Sequence, residues 1–246
     1  MKDVEIGVQT FTYRSFDIAG IVRELKGTGI TALEVFPGHL SPQTPAGELN
    51  EARKRLSDAG LRVCGTGVCG ASSGKPDELR TNLEFAAALG ADYVSIDVDP
   101  GDAEGKEMLI AVAGELGLLL GIHNHGPGHR YDTAQSVLRS CKGYDEILGA
   151  CLDTGHFLRV DETPEHAIRT LGKRVHAVHL KDFVDAETEV VPGTGRLNYA
   201  TALAALDKYT NFHSALVIEY EADPANPTPS MRQTVGVLKQ ALKAEG

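Results

Sequence analysis

Cys151-Leu152-Asp153-Thr154-Gly155-His156-Phe157 completes an apolar run that starts at Ile147 and breaks off in a carboxylate, a glycine and a histidine. A buried parallel strand is apolar along its length, and in α/β barrels the chemistry sits at its C-terminal end. Three further runs end in the same way: Leu118–His125 (LLLGIHNH), Val175–Asp182 (VHAVHLKD) and Ala215–Glu221 (ALVIEYE). Strand ends of this kind, brought to one rim, would gather oxygen and nitrogen donors around a single point.

The rest of the chain supplies the frame. Val4–Val8 reads as a first strand, followed by a polar and aromatic loop, Thr10–Arg14. Ile18, Ile21, Val22 and Leu25 then fall on one helical stripe that Gly27 and Gly29 terminate. The same alternation predicts strand Ile30–Pro37 with helix Ala46–Ala59, strand Leu61–Cys69 with helix Pro76–Leu89, and strand Asp92–Val98 with helix Ala103–Leu116. Helices Thr133–Cys141, Pro164–Leu171, Tyr199–Lys208 and Met231–Lys243 follow the four runs that end in chemistry. Strand–helix units repeated every ~30 residues over 246 residues predict an α/β fold, a (β/α)8 TIM barrel, with 1–246 as one domain. A doubly wound open sheet would carry a glycine-rich phosphate turn after its first strand, where this chain has GVQTFTYR. The longest connection, Phe183–Asn198, contains Pro192-Gly193-Thr194-Gly195 and is expected to be a lid or substrate loop. By itself Gly193-Thr194-Gly195 reads as a turn rather than a phosphate motif.

Composition narrows the partners. A formal charge of −10 without a Lys/Arg cluster argues against nucleic acid. The four cysteines form no Cys-x-x-Cys pair and fit a reduced, cytoplasmic protein. The amino terminus lacks the apolar segment of a signal peptide, and Leu116–Ile122 falls well short of the roughly 18 residues of a membrane span. No membrane partner is expected, and homo-oligomerisation is left open.

Alternation along a strand puts His123 and His125 on one face, Cys151 with Asp153, and Glu219 with Glu221. His123, Asp153, His179 and Glu219 together would offer a metal two imidazoles and two carboxylates. That mixture suits Mn²⁺, Co²⁺, Fe²⁺ or Zn²⁺ better than Mg²⁺. His125, His156 and Lys181 are candidates for handling protons, and Glu34, His39 and Glu221 for contacting substrate. His129, His166, His176 and His213 read as ordinary structural histidines.

LDTGHF, VHLKD, PGTG and VIEYE together resemble the sugar phosphate isomerase/epimerase family, the xylose isomerase-like barrels. The resemblance implies one divalent ion, a sugar or polyol substrate and removal of a proton beside a ketone. It implies Asp153, His179 and Glu219 as ligands, Glu219 also as an acid/base, and His156 as a substrate contact near the carbonyl; Lys181 lies in the family's His-x-Lys-Asp motif. Two positions depart from the pattern. His123 stands where the 3-epimerases carry a glutamate, as in inosose dehydratase and 3-keto-glycoside lyases, and no arginine occurs in Val184–Val191. The family pattern favours isomerisation or epimerisation, with elimination as the alternative. An endonuclease IV-like nuclease and a non-catalytic sugar-binding barrel rank below both.

Overall fold

The computed structural model describes residues 4–244. Among them, eight parallel strands close a barrel in the order β1 (Ile6–Gln9), β2 (Ala32–Val35), β3 (Arg62–Ala71), β4 (Tyr93–Val98), β5 (Leu119–His123), β6 (Leu148–Asp153), β7 (Val175–Leu180) and β10 (Leu216–Ile218), which pairs with β1. The outer helices are α1 (Ile18–Leu25), α2 (Ala46–Asp58), α3 (Pro76–Leu89), α4 (Ala103–Leu116), α5 (Ala134–Cys141), α7 (Pro164–Leu171), α8 (Tyr199–Tyr209) and α9 (Thr228–Ala244). This is the expected TIM barrel. No described helix is long and apolar enough to cross a membrane.

Two elements escaped the sequence reading. A five-residue helix, α6 (Thr154–Leu158), follows β6 directly, because the Asp153 side chain caps it by accepting from His156 N at 2.8 Å. The long connection folds into an antiparallel hairpin, β8 (Asp182–Phe183) with β9 (Glu189–Val190). Two of the strands that carry site residues are also shorter than expected at their ends. β5 stops at His123 and β10 at Ile218, so His125, Glu219 and Glu221 project from the loops just above the sheet.

The main core lies between the outer face of the sheet and the helices, built from residues such as Leu33, Ile96, Leu120, Leu152 and Ile218. A separate cluster fills the barrel itself: Ala32, Cys64, Tyr93, Cys151, Ala177, Ala215 and Val217. These are small except for Tyr93, whose ring occupies space that Gly65 leaves open, since a Cβ there would come within 2.4 Å of it. Gly121 is equally required, because a Cβ would meet Cys151 N at 2.8 Å.

Two residues beyond Gly7, Ala32, Cys64, Tyr93, Gly121, Cys151, Ala177 and Val217, where the side chain returns to the same face, every position is polar. Gln9, Glu34, Thr66, Ser95, His123, Asp153, His179 and Glu219 form this upper layer, and all are buried. An apolar plug thus carries a polar floor at the C-terminal mouth.

Candidate active site

The four expected ligands come together. One donor atom from each of His123, Asp153, His179 and Glu219 lies within 4.8 Å of the others, and all four residues are buried. His179 is central: its Nδ1 stands 3.1 Å from His123 Nε2 and 2.8 Å from Glu219 Oε2. Such separations suit neighbouring ligands on one ion with bonds of ~2.1 Å. Asp153 Oδ1 is spent on His156 N, whereas its Oδ2 is buried without a hydrogen-bond partner among the described residues. Burial pushes the Asp153 carboxyl up to about 7, against the pull of the Lys181 ammonium. A buried carboxylate with a free oxygen, beside two ring nitrogens, calls for a cation. The residues present therefore fit a divalent ion of the borderline class, held by two nitrogens and two oxygens.

Electrostatics separate the four. Burial opposes a charged His179, but Cys151, Glu34 and Glu219 outweigh it and hold the ring well above its ordinary value. His123 is driven well below its own, first by burial and then by His179. Glu219 is held well below the usual carboxylate range, because Lys181 and His179 overcome the effect of burial. Lys181 itself is buried, bonded to the Glu221 carboxylate and 3.5 Å from Glu219 Oε1. These carboxylates outweigh its burial and keep the ammonium charged. Gly155 of the DTGH segment makes room for this lysine, since a Cβ there would come within 2.9 Å of the Lys181 side chain.

Above the floor, His125 and His156 face each other with ring centroids 5.7 Å apart, and they lie 4.8 and 5.9 Å from His123. Burial lowers both, His125 from its ordinary value and His156 to about 3. Burial thus favours the neutral form of both rings. Arg159 Nη1 lies 3.3 Å from His156 Nδ1, while its Nε donates to Ala186 O of the hairpin at 2.8 Å. The cation missing from Val184–Val191 thus approaches the same hairpin from α6. At the rim, Asp97, His125 and His129 form a second donor group, but Arg130 takes Asp97 Oδ1 at 2.5 Å and His129 Nδ1 accepts from Tyr131 N.

Glu34 and His39, expected to contact substrate, are placed otherwise. Glu34 is fully buried beside His179, its oxygens occupied by Gln9, Tyr93 and His179. His39 is tied into the loop after β1, with Nδ1 3.0 Å from Thr10 Oγ1 and Nε2 3.0 Å from Phe16 O. Glu221 does reach the mouth, through Lys181. Glu189 was missed: it lies on β9 and accepts from Glu221 N at 3.0 Å, and only the hairpin, which has no sequence periodicity, brings it there. The PGTG turn offers no phosphate cradle. Its Gly193 and Gly195 amides, with that of Leu197, are taken by the Asp182 carboxylate at 2.8–2.9 Å.

Comparison with known proteins bears on the family and the fold. An inosose dehydratase of Clostridium perfringens is 30% identical over 161 residues, covering 58% of this chain and 51% of that protein. One from Erwinia tasmaniensis is 29% identical over 147 residues, covering 51% and 49%. The chain spans about half the length of these relatives. A D-psicose 3-epimerase structure from Clostridium cellulolyticum H10 shares the fold, with a TM-score of 0.75 at 16% identity over 98% of this chain and 97% of that one. The family profile of these barrels matches residues 22–241, and the chain belongs to the xylose isomerase-like TIM barrel family.

Proposed function

We propose that this protein is a divalent-metal-dependent carbon–oxygen lyase that removes water or an alcohol from a keto-polyol, such as a keto-inositol or a 3-keto-glycoside. The reading rests on one observation: the group that meets Nδ1 of His179 together with Glu219 is the imidazole of His123, backed by His125 and His156, and not a second glutamate. Epimerisation through two carboxylates would need one there. The sequence pattern gave isomerisation precedence; the cluster of neutral imidazoles at the mouth moves it to elimination, and the similarity to inosose dehydratases supports the same reading.

A divalent ion on His123, Asp153, His179 and Glu219 would supply Lewis-acid stabilisation to a ketone and its neighbouring hydroxyl as the α-proton leaves. The chain's own residues do the rest. Glu219 has one oxygen against His179 and the other towards Lys181, so it serves as a ligand rather than as the mobile base. His125, neutral and packed beside His123, accepts the α-proton and returns it to the leaving oxygen as the carbon–oxygen bond breaks. Arg159 at Nδ1 of His156 leaves the Nε2–H of that ring to hold a substrate oxygen.

The test follows the Mn²⁺-loaded protein in D₂O with a keto-inositol, a 3-keto-glucoside and a panel of ketohexoses, by NMR and ultraviolet absorbance together. Loss of the leaving group from either of the first two, with growth of an absorbing enone or diketone, is expected. Deuterated ketohexose epimers of unchanged skeleton would overturn the lyase in favour of an isomerase. His125→Ala should lower kcat by ~10²–10⁴-fold with metal content unchanged.

A further inference from the structure

Glu34 holds a place that a structural filler would not need. The side chain is completely buried, and its carboxylate is fixed from three other strands. His179 Nε2, 145 residues away in sequence, donates to Oε2 at 2.6 Å. The Tyr93 hydroxyl donates to the same oxygen at 2.5 Å, and Gln9 Nε2 donates to Oε1 at 3.0 Å. The Gln9 amide is itself anchored on Gly67 O at 3.1 Å. Burying a carboxylate is costly, and an apolar or amide side chain would fill this space with less penalty. A neutral imidazole that donates from one nitrogen has its lone pair on the other. With Nε2–H committed to Glu34, Nδ1, the atom facing His123 and Glu219, is the nitrogen left to offer a lone pair when a cation takes the place of its proton.

We propose that Glu34 is a positioning residue of the metal centre, fixing the ring orientation and tautomer of His179 so that Nδ1 is the ligating atom. Tyr93 and Gln9 act one step further out, by holding Glu34. The inference rests on the reading of the four residues as a metal site, and it adds a group that touches neither the ion nor the substrate. Partners of this kind beneath a ligand histidine typically carry 10–100-fold in metal affinity.

The experiment titrates metal-free wild type, Glu34→Gln and Tyr93→Phe with Mn²⁺ by calorimetry, and records long-range ¹H–¹⁵N spectra of the Zn²⁺-loaded wild type. Glu34→Gln should weaken Mn²⁺ binding by ~10–100-fold, with far-ultraviolet circular dichroism preserved. Tyr93→Phe keeps the bond between His179 and Glu34, so it should weaken binding by less, and it stands in should the first variant fail to fold. The spectrum should show His179 metallated at Nδ1 and protonated at Nε2, an assignment that needs no variant and that a purely structural Glu34 would not dictate. His179 metallated at Nε2, or affinities within twofold of wild type in the folded variants, would overturn the proposal alone. A wild type that takes up no divalent ion would overturn it together with the metal reading.

Discussion

The polar floor is built alike around the whole barrel, yet its two halves leave different atoms free. On the β1–β4 side, Gln9 bridges Glu34 and Gly67, Glu34 takes three donors, and only the neutral hydroxyls of Thr66 and Ser95 lack partners among the described residues. On the β5–β10 side, two ring nitrogens face each other at 3.1 Å, and Asp153 Oδ2 and His123 Nδ1 are buried without partners among the described residues. An unsatisfied buried group costs ~1–3 kcal/mol, and more when it is charged. Folding alone would not select the second arrangement. One half is arranged to stay put, and the other presents donors that a cation would satisfy.

The sharpest way to break this comparison is to remove a donor from the open half. Asp153→Asn and His179→Ala should each reduce the bound divalent ion from about one per chain to a small fraction, and turnover should fall by on the order of 10³-fold, the equivalent of several kcal/mol of Lewis-acid stabilisation. Elemental analysis and steady-state rates on the same preparations check both. Unchanged stoichiometry in the two variants would show that the open half holds no metal.

A smaller effect separates two carboxylates that share one lysine. Glu219 contacts both His179 and Lys181, whereas Glu221 contacts Lys181 and lies nearer the exit. Glu219→Gln should therefore lower both metal affinity and rate, the rate by more than ~10²-fold. Glu221→Gln should keep the metal and cost less in rate. The reverse order would make Glu221 the ligand and shift the site outward by two residues.

The parts of this site that were legible in the sequence are those where a residue type contradicts its surroundings. His123, Asp153, His179 and Glu219 each terminate an apolar run, and a donor at the end of such a run stands out against the buried-strand pattern. Helices such as Pro76–Leu89 and Ala103–Leu116 are equally plain, from the regular alternation of strand and helix and the glycines that follow them. Glu34 was visible as an unusual strand residue, but its partner is 145 residues away, and a single sequence does not encode that pairing locally. The α6 helix, at five residues, is too short to show a period, and its capping signal, Asp153, was already read as a ligand. His39 misled because a histidine after a strand looks the same whether its nitrogens face a ligand or, as here, a hydroxyl and a carbonyl of the preceding loop.

The finest contrast lies between the mouth and a histidine far from it. His176 alternates with His179 on β7, faces outward, and has its Nε2 2.8 Å from Glu146 O. Burial lowers its pKa from the ordinary value, so the folded chain holds this ring neutral where an unfolded chain would protonate it. Between the folded and unfolded values the unfolded state binds more protons, and stability rises with pH. The contribution is thus fully present above the unfolded value of ~6.5 and is lost as pH falls through the lowered folded one. Wild type should exceed His176→Gln by about 1 kcal/mol at pH 7.5, the net worth of one hydrogen bond, and the gap should narrow towards pH 5. Urea midpoints of the metal-free proteins at both pH values measure it, and taking the difference cancels the titrations at the mouth, which both chains share. A gap that widens in acid would mean that His176 is charged in the fold and that the carbonyl of Glu146 holds a cation there.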